Sequence, residues 1–262
     1  MKKVANGNLI YYKFESIDTT NCFTTKHGGF STGYTHSMNM DKSKEENTTV
    51  FKNHDIICSE MNILTNSLTG VLQKHTSNVV IVNKKNISNN ITKYDTIGGC
   101  DGLITNDKSI SLMTLHADCP ALYFYDSVKE IIALSHSGWR GTVKSIASIT
   151  IKKMMKHFDT NPKNIKAGIS PSIGFCCFEV NEDVKNEFCN TFEWANEYIK
   201  KTENEKYKID LTSINKRIMQ DCGVTQVETA KMCTKCMNDT FYSHRVSGFK
   251  RGNMAAIIAL KH

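Results

Sequence analysis

An α+β fold of mixed sheets packed with helices is predicted for this 262-residue chain from three observations. Short runs rich in Val, Ile, Leu and aromatic residues recur along it. They come in pairs before a helical pattern, not in strict alternation with helices. No Gly-x-Gly-x-x-Gly follows a strand-like run, which argues against a doubly wound dinucleotide fold.

The strand-like runs lie at 9–14, 78–82, 111–115, 121–125, 131–135 and 255–260. Within 142–158, Val143, Ile146, Ala147, Ile151, Met154 and Met155 fall on one face of a long helix. Shorter helices are expected at 184–192 and 211–222. Asp210 or Thr212 can cap the second of these, and Gly223 lies just past its end. The polar segment 83–93 reads as a long surface loop or an insertion. No Pro/Gly/Ser-rich linker or internal repeat divides the chain, so one domain over 1–262 is expected.

Hydrophobic residues make up 40% and charged residues 23%, values that exclude a disordered chain. The 33 basic against 26 acidic residues give +7, but the lysines are scattered and no basic stripe carries interleaved aromatics. Nucleic acid is therefore not an expected partner. The polar Asn6-Gly7-Asn8 interrupts any apolar signal segment after Met1-Lys2-Lys3. The longest apolar run, 254–260, is too short to span a bilayer. The expectation is a cytoplasmic protein without a membrane partner. Its ten cysteines are then reduced thiols, and clustered Cys and His point to metal or catalysis.

The chemistry concentrates in Leu115-His116-Ala117-Asp118-Cys119-Pro120 and His136-Ser137-Gly138-Trp139-Arg140-Gly141-Thr142. Cys119 precedes one strand and His136 ends the next, so a hairpin brings them together across 17 residues of sequence. His75, in Gln73-Lys74-His75-Thr76, is a third candidate. Two imidazoles and a thiolate with an open fourth position are the donor set of a catalytic zinc. On local sequence alone the alternatives stay open, because a His before a strand or a Cys beside a Pro is commonly packing. Gly138 and Gly141 permit a tight turn that aims backbone N–H groups at an anion. Arg140 between them can add a bidentate phosphate contact, or form a structural salt bridge.

Several motifs resemble those of the laccase-domain, polyphenol-oxidase or multifunctional purine nucleoside phosphorylase family (the YfiH type). They are Thr25-Lys26-His27-Gly28-Gly29-Phe30-Ser31, Ser37-Met38-Asn39-Met40, Gln73-x-His75 and Asp101-Gly102-Leu103-Ile104-Thr105. The region from Cys119 to Thr142 follows, then Ser170-Pro171-Ser172-Ile173-Gly174 and Cys176-Cys177-Phe178-Glu179-Val180. Cys233-Thr234-x-Cys236, Phe241-Tyr242-Ser243-His244-Arg245 and Arg251-Gly252-Asn253-Met254-Ala255-Ala256 complete the series, in family order over nearly the whole chain.

The resemblance implies a four-layer α/β/β/α fold like that of a deamidating bacterial toxin domain. It implies zinc on His75, Cys119 and His136, with copper as a substitute. It also implies phosphorolysis of adenosine, inosine, guanosine and methylthioadenosine, and deamination of adenosine. Purine nucleosides and phosphate are the expected partners, and a homodimer is admitted. Arg140, Arg245, Gly138 and His27 are carried as substrate or phosphate contacts. Asp118, Asp101 and Glu179 are the acidic candidates for moving a proton. Lys26, Lys74 and His116 depart from the family's usual Arg, Val and Thr, and the first weakens any bidentate anion role there.

A multicopper oxidase needs His-x-His pairs, and the nine histidines form none. A cysteine hydrolase using Cys119 and His136 is the stronger rival. Against it, a dyad has no use for His75, and Asp118 beside Cys119 is expected to oppose a thiolate. The His-x-Glu and Pro-Cys-x-x-Cys of cytidine deaminases are missing. Cys233-x-x-Cys236 is half a zinc knuckle with no second spaced pair, and adjacent Cys176 and Cys177 cannot comfortably grip one tetrahedral ion; two cysteines on a loop are read as packing or turn residues, outside the metal site.

Overall fold

The computed structural model describes residues 1–84 and 99–261. Among these residues the strands form two six-stranded sheets and one three-stranded sheet. The first sheet runs Lys2–Asn6, Leu9–Lys13, Thr20–Thr24, Met254–Ala259, Ser111–His116, Leu68–Thr69. The second runs Gln226–Thr229, Ile165–Ile169, Ala121–Asp126, Ile131–His136, Gly102–Thr105, Val79–Ile81. Neighbours are antiparallel except Leu68–Thr69 on Ser111–His116, Val79–Ile81 on Gly102–Thr105, and Gln226–Thr229 on Ile165–Ile169.

The apolar runs are long because these strands are buried on both faces. Along Met254–Ala259, Met254, Ala256 and Ile258 face the core between the sheets, while Ala255 and Ile257 face the outer helix Asn47–Met61. In Ile131–His136, Ile132 and Leu134 point to the inter-sheet core, and Ile131 and Ala133 to the helices Ile146–Phe158 and Leu211–Asp221. The result is the α/β/β/α layering expected from the resemblance.

Every strand-like run of the sequence is a strand. The helix expected at 142–158 is instead two, Trp139–Val143 and Ile146–Phe158, divided at Ser145, whose φ is 56°. Asp210, not Thr212, caps Leu211–Asp221, its carboxylate accepting from the Ser213 N–H at 2.9 Å. The third predicted helix forms as Glu182–Thr191, beside the small sheet of Glu179–Val180, Tyr207–Ile209 and Ile199–Lys201. Of the loop expected at 83–93, positions 85–93 lie outside the described residues. No helix among the described residues is long and apolar enough to cross a membrane.

Candidate metal centre and its cleft

The two large sheets are joined by residues 117–120, which leave Ser111–His116 and enter Ala121–Asp126. Cys119 therefore sits where the chain crosses between sheets. Antiparallel pairing of Ala121 with His136 carries the second candidate ligand to the same end. The third arrives on a connecting segment that Gln73 pins: its side-chain amide donates to Leu115 O at 2.8 Å and accepts from Leu115 N–H at 2.7 Å. The donor atoms of His75, Cys119 and His136 all lie within 4.8 Å of one another. His75 Nε2 is 3.9 Å from Cys119 Sγ, and the two imidazole rings meet edge to face at 4.8 Å.

Asp101, fully buried at the start of Gly102–Thr105, organises this trio. Its carboxylate accepts from the backbone N–H groups of Lys74 (3.1 Å), His75 (3.1 Å) and Thr76 (2.7 Å), and from Thr76 Oγ1 at 2.9 Å. These bonds hold His75 at a φ of 56°, a left-handed backbone that costs a non-glycine residue energy. The same carboxylate accepts from His136 Nδ1 at 2.8 Å, which leaves His136 Nε2 free to face Cys119. Burial works to raise the Asp101 pKa, yet the hydrogen bonds from His136 and Thr76 bring it down to about 2. Burial opposes charge on His136 and Cys119 too, but each stabilises the other. His136 rises to about 9, with Asp101 assisting, and the Cys119 thiol falls to about 6.

Neighbouring residues fix the remaining freedom. Buried His116 donates from Nδ1 to Cys119 O at 2.9 Å and accepts from Thr114 Oγ1 at 2.7 Å. A Cβ on Gly138 would come within 2.9 Å of the His75 ring and 3.0 Å of Cys119 Sγ, so a side chain there would push these two candidate ligands out of place. Asp118 has a φ of 86° and turns its carboxylate away from Cys119, towards Thr234 Oγ1 (2.6 Å) and the Arg245 N–H (2.7 Å). The trio opens onto a cleft of about 400 Å³, within the size range of small-molecule sites. Val71, Leu72, Leu115 and Ala117 form its apolar wall; Asp41, Lys42, Ser43, Gln73, Arg251 and Asn253 supply polar groups.

The family described as multi-copper polyphenol oxidoreductase laccase matches residues 20–261. The chain belongs to this family. Similar proteins include the purine nucleoside phosphorylase YlmD of Bacillus subtilis, 32% identical over 91% of this chain and 87% of the relative. A purine nucleoside phosphorylase of Bacteroides thetaiotaomicron is 34% identical over 90% of each chain. Among solved structures, YlmD from Geobacillus stearothermophilus superposes with a TM-score of 0.91 at 26% identity, covering 99% of each chain. YfiH of Bacillus licheniformis gives 0.90 at 27% identity, covering 98% of this chain and 97% of its own.

Within this laccase-domain chain, the described residues bring histidine into only one group of three or more metal-ligating side chains, His75, Cys119 and His136. The other residues singled out in the sequence are placed differently. Exposed Arg140 stacks its guanidinium on the Trp139 ring at 4.2 Å and does not line the cleft. Its helix, Trp139–Val143, is a single short turn. Arg245 donates from Nη1 to Cys177 O at 3.2 Å and Glu179 O at 3.0 Å, so its guanidinium holds backbone. His27 lies off the cleft lining, its N–H bonded to Thr25 Oγ1.

None of the three acidic candidates lines the cleft either. Asp101 is occupied as an orienting group, Asp118 braces loops, and Glu179 faces Lys206 on the small sheet. Sequence reasoning missed Asp41 and Arg251. Arg251 stood in a quoted motif, but its role depends on a fold that joins residues 41 and 253, where Asn253 Nδ2 donates to Asp41 Oδ2 at 2.6 Å. Arg251 donates from Nη1 to Gly252 O and Asn253 Oδ1, and its buried Nε has no acceptor among the described residues. Contrary to the expectation from sequence, the Asp118 carboxylate does not face the Cys119 thiol, because it is turned to Thr234 and the Arg245 N–H.

Proposed function

We propose that this chain is a zinc-dependent purine nucleoside phosphorylase whose metal is held by His75, Cys119 and His136. The observation that carries the reading is the convergence of these donors on a cleft that also presents Arg251 and Lys42. The donor chemistry fits the metal: an imidazole nitrogen left free by Asp101, a second imidazole, and a thiol already inclined to ionise. When bound, zinc supplies Lewis acidity and positive charge at the floor of the cleft.

The chain's own residues account for the rest. Arg251, whose Nη1 is held by Gly252 O and Asn253 Oδ1, has its remaining guanidinium N–H groups for a phosphate, and Lys42 adds charge in the same cleft. The wall of Val71, Leu72, Leu115 and Ala117 gives a flat purine an apolar seat. Held together, a phosphate oxygen bonds to ribose C1′ as the C1′–N9 bond breaks, releasing the purine and ribose 1-phosphate. The names of the relatives support this reaction class. Inosine, guanosine, adenosine and methylthioadenosine are the proposed substrates. Deamination of adenosine, with water replacing the 6-amino group as ammonia, is proposed as a second activity.

Adenosine assayed with and without phosphate separates the two. Adenine and ribose 1-phosphate are expected only with phosphate, and inosine with ammonia in its absence. A metal-replete enzyme that yields neither set of products contradicts the proposal.

One observation favours a second reading. Cys119, His136 and Asp101 are arranged as a nucleophile, a base and an orienting carboxylate, the pattern of a cysteine hydrolase. It leaves His75, held against the other two, without a role.

A further inference from the structure

Behind the candidate centre, the turn after Ile165–Ile169 and the Cys233-x-x-Cys236 loop approach each other. Backbone bonds couple them: Ser172 N–H to Met232 O at 3.2 Å and Thr234 N–H to Ser172 O at 2.9 Å. The Gly174 turn, closed by Cys177 N–H and Phe178 N–H on Gly174 O, folds both adjacent cysteines to the same side. The sulfurs of Cys176, Cys177, Cys233 and Cys236 consequently all lie within 4.8 Å of one another. Cys177 Sγ is 3.4 Å and Cys176 Sγ 3.6 Å from Cys236 Sγ. The adjacency that argued in the sequence against a shared ion is overcome by this turn.

We propose that these four cysteines form a second metal site, a closed tetrahedral zinc–thiolate centre separate from His75, Cys119 and His136. Zinc–sulfur bonds of about 2.3 Å in a regular tetrahedron put sulfurs about 3.8 Å apart. The Cys236 sulfur lies 3.4 and 3.6 Å from two of its partners, slightly closer than that, and no pair of the four exceeds 4.8 Å, so small side-chain rotations complete the site. All-thiolate donors favour zinc over harder ions, and closure of all four positions marks a structural site.

The surroundings are built for thiolate. Gly174 N–H donates to Cys233 Sγ at 3.2 Å. A Cβ at Gly174 would crowd Cys233 Cβ at 3.1 Å and Cys176 Sγ at 3.3 Å, so glycine lets the loops close. Burial disfavours charge on Cys233, but N–H groups of Cys236 and Gly174 outweigh it and bring that thiol to about 7. Without a cation, burial and the neighbouring sulfurs push Cys176 and Cys177 up. An entering zinc reverses this by displacing their protons to solvent.

The position gives the centre a purpose. Ile173 N–H donates to Asp118 O at 2.8 Å and Thr234 Oγ1 to the Asp118 carboxylate. Both thiol-bearing loops thus grip the residue whose left-handed backbone sets the direction of Cys119. Joining the loops through one ion holds that grip.

Metal content of protein purified anaerobically with zinc and then desalted tests the site. Wild type should hold two zinc ions per chain, and His75→Ala should lose one and keep the other. Cobalt in His75→Ala should show the intense thiolate charge-transfer and visible bands of a tetrahedral sulfur site. Cys236→Ser should remove both that spectrum and one zinc. A wild type with a single zinc that His75→Ala loses entirely would overturn the proposal, even if Cys236→Ser fails to fold. So would a disulfide among the four cysteines in the anaerobic, zinc-supplemented protein.

Discussion

Asp101 joins His75 and His136 through one carboxylate, receiving the His75 N–H at 3.1 Å and His136 Nδ1–H at 2.8 Å. A single buried side chain thereby positions two of three candidate ligands that lie far apart in sequence. Asp101→Asn keeps the shape but turns one acceptor into a donor aimed at N–H groups. Zinc affinity measured by chelator competition should fall about 10- to 100-fold. Unchanged affinity would reduce Asp101 to a fold-stabilising role.

Gly138 lies against both His75 and Cys119, so a Cβ there would displace one or both of them. Gly138→Ala should weaken zinc binding by about tenfold or more. The thermal midpoint of the metal-free protein should change little, since the loss falls on ligand placement. Equal losses in both measurements would point to general misfolding instead.

The proposed phosphate contact is Arg251, on the cleft wall. Arg251→Lys should raise the KM for phosphate about tenfold, and raise that for nucleoside less, because a lysine cannot make the fork contact. Arg140→Lys, at an exposed residue stacked on Trp139, should leave both constants near wild type. The reverse pattern in the two variants would return phosphate to the start of the Trp139–Val143 helix.

The Asp210 cap tests a simpler link. Its carboxylate satisfies the Ser213 N–H and hydroxyl at the start of Leu211–Asp221, the helix that packs Ile214 and Ile218 onto the second sheet. Asp210→Ala should cost about 1 kcal/mol in equilibrium unfolding. A cost indistinguishable from zero would mean that the packing alone holds the helix.

Strands buried on both faces announce themselves as apolar runs, which is why 121–125, 131–135 and 255–260 were legible. The helix Asn47–Met61 was not, because its buried face carries polar residues. Asn53 bonds to Phe30 N–H, Ser31 Oγ and Asn39 O, and His54 to Met40 O. Their spacing with Val50, Ile57 and Cys58 is helical, but a count of apolar residues passes over it. In the site, His75, Cys119 and His136 were legible from ligand chemistry and family motifs together. Arg251 and Asp41 were not, since only the folded chain, through Met40 N–H on Asn253 O and Asn253 Nδ2 on Asp41, brings residues 41 and 253 together. The convergence of Cys176 and Cys177 on Cys233 and Cys236 was not legible for a related reason. Adjacent residues usually diverge, and the turn at Gly174 that makes them converge leaves no periodic signal.

In metal-free protein, the rate of Cys119 alkylation should rise with pH through about 6, not through the ordinary thiol value of 9.0. Charge on His136 more than offsets the burial that opposes ionisation. Below that range the thiol is protonated and slow; above it the thiolate is free to react. A profile centred on the ordinary value would show that His136 does not act on this sulfur.

The reactivity of Cys119 in the zinc-loaded protein tests the central claim most directly. Labelling with an alkylating reagent, followed by mass spectrometry of the Cys119 peptide, reports whether the sulfur is bound. If it is a metal ligand, labelling is slow until a chelator is added, turnover stops as labelling speeds up, and zinc restores turnover to unlabelled protein. Fast labelling that ignores the chelator, in an enzyme that keeps its activity without metal, would instead make Cys119 the nucleophile of a hydrolase.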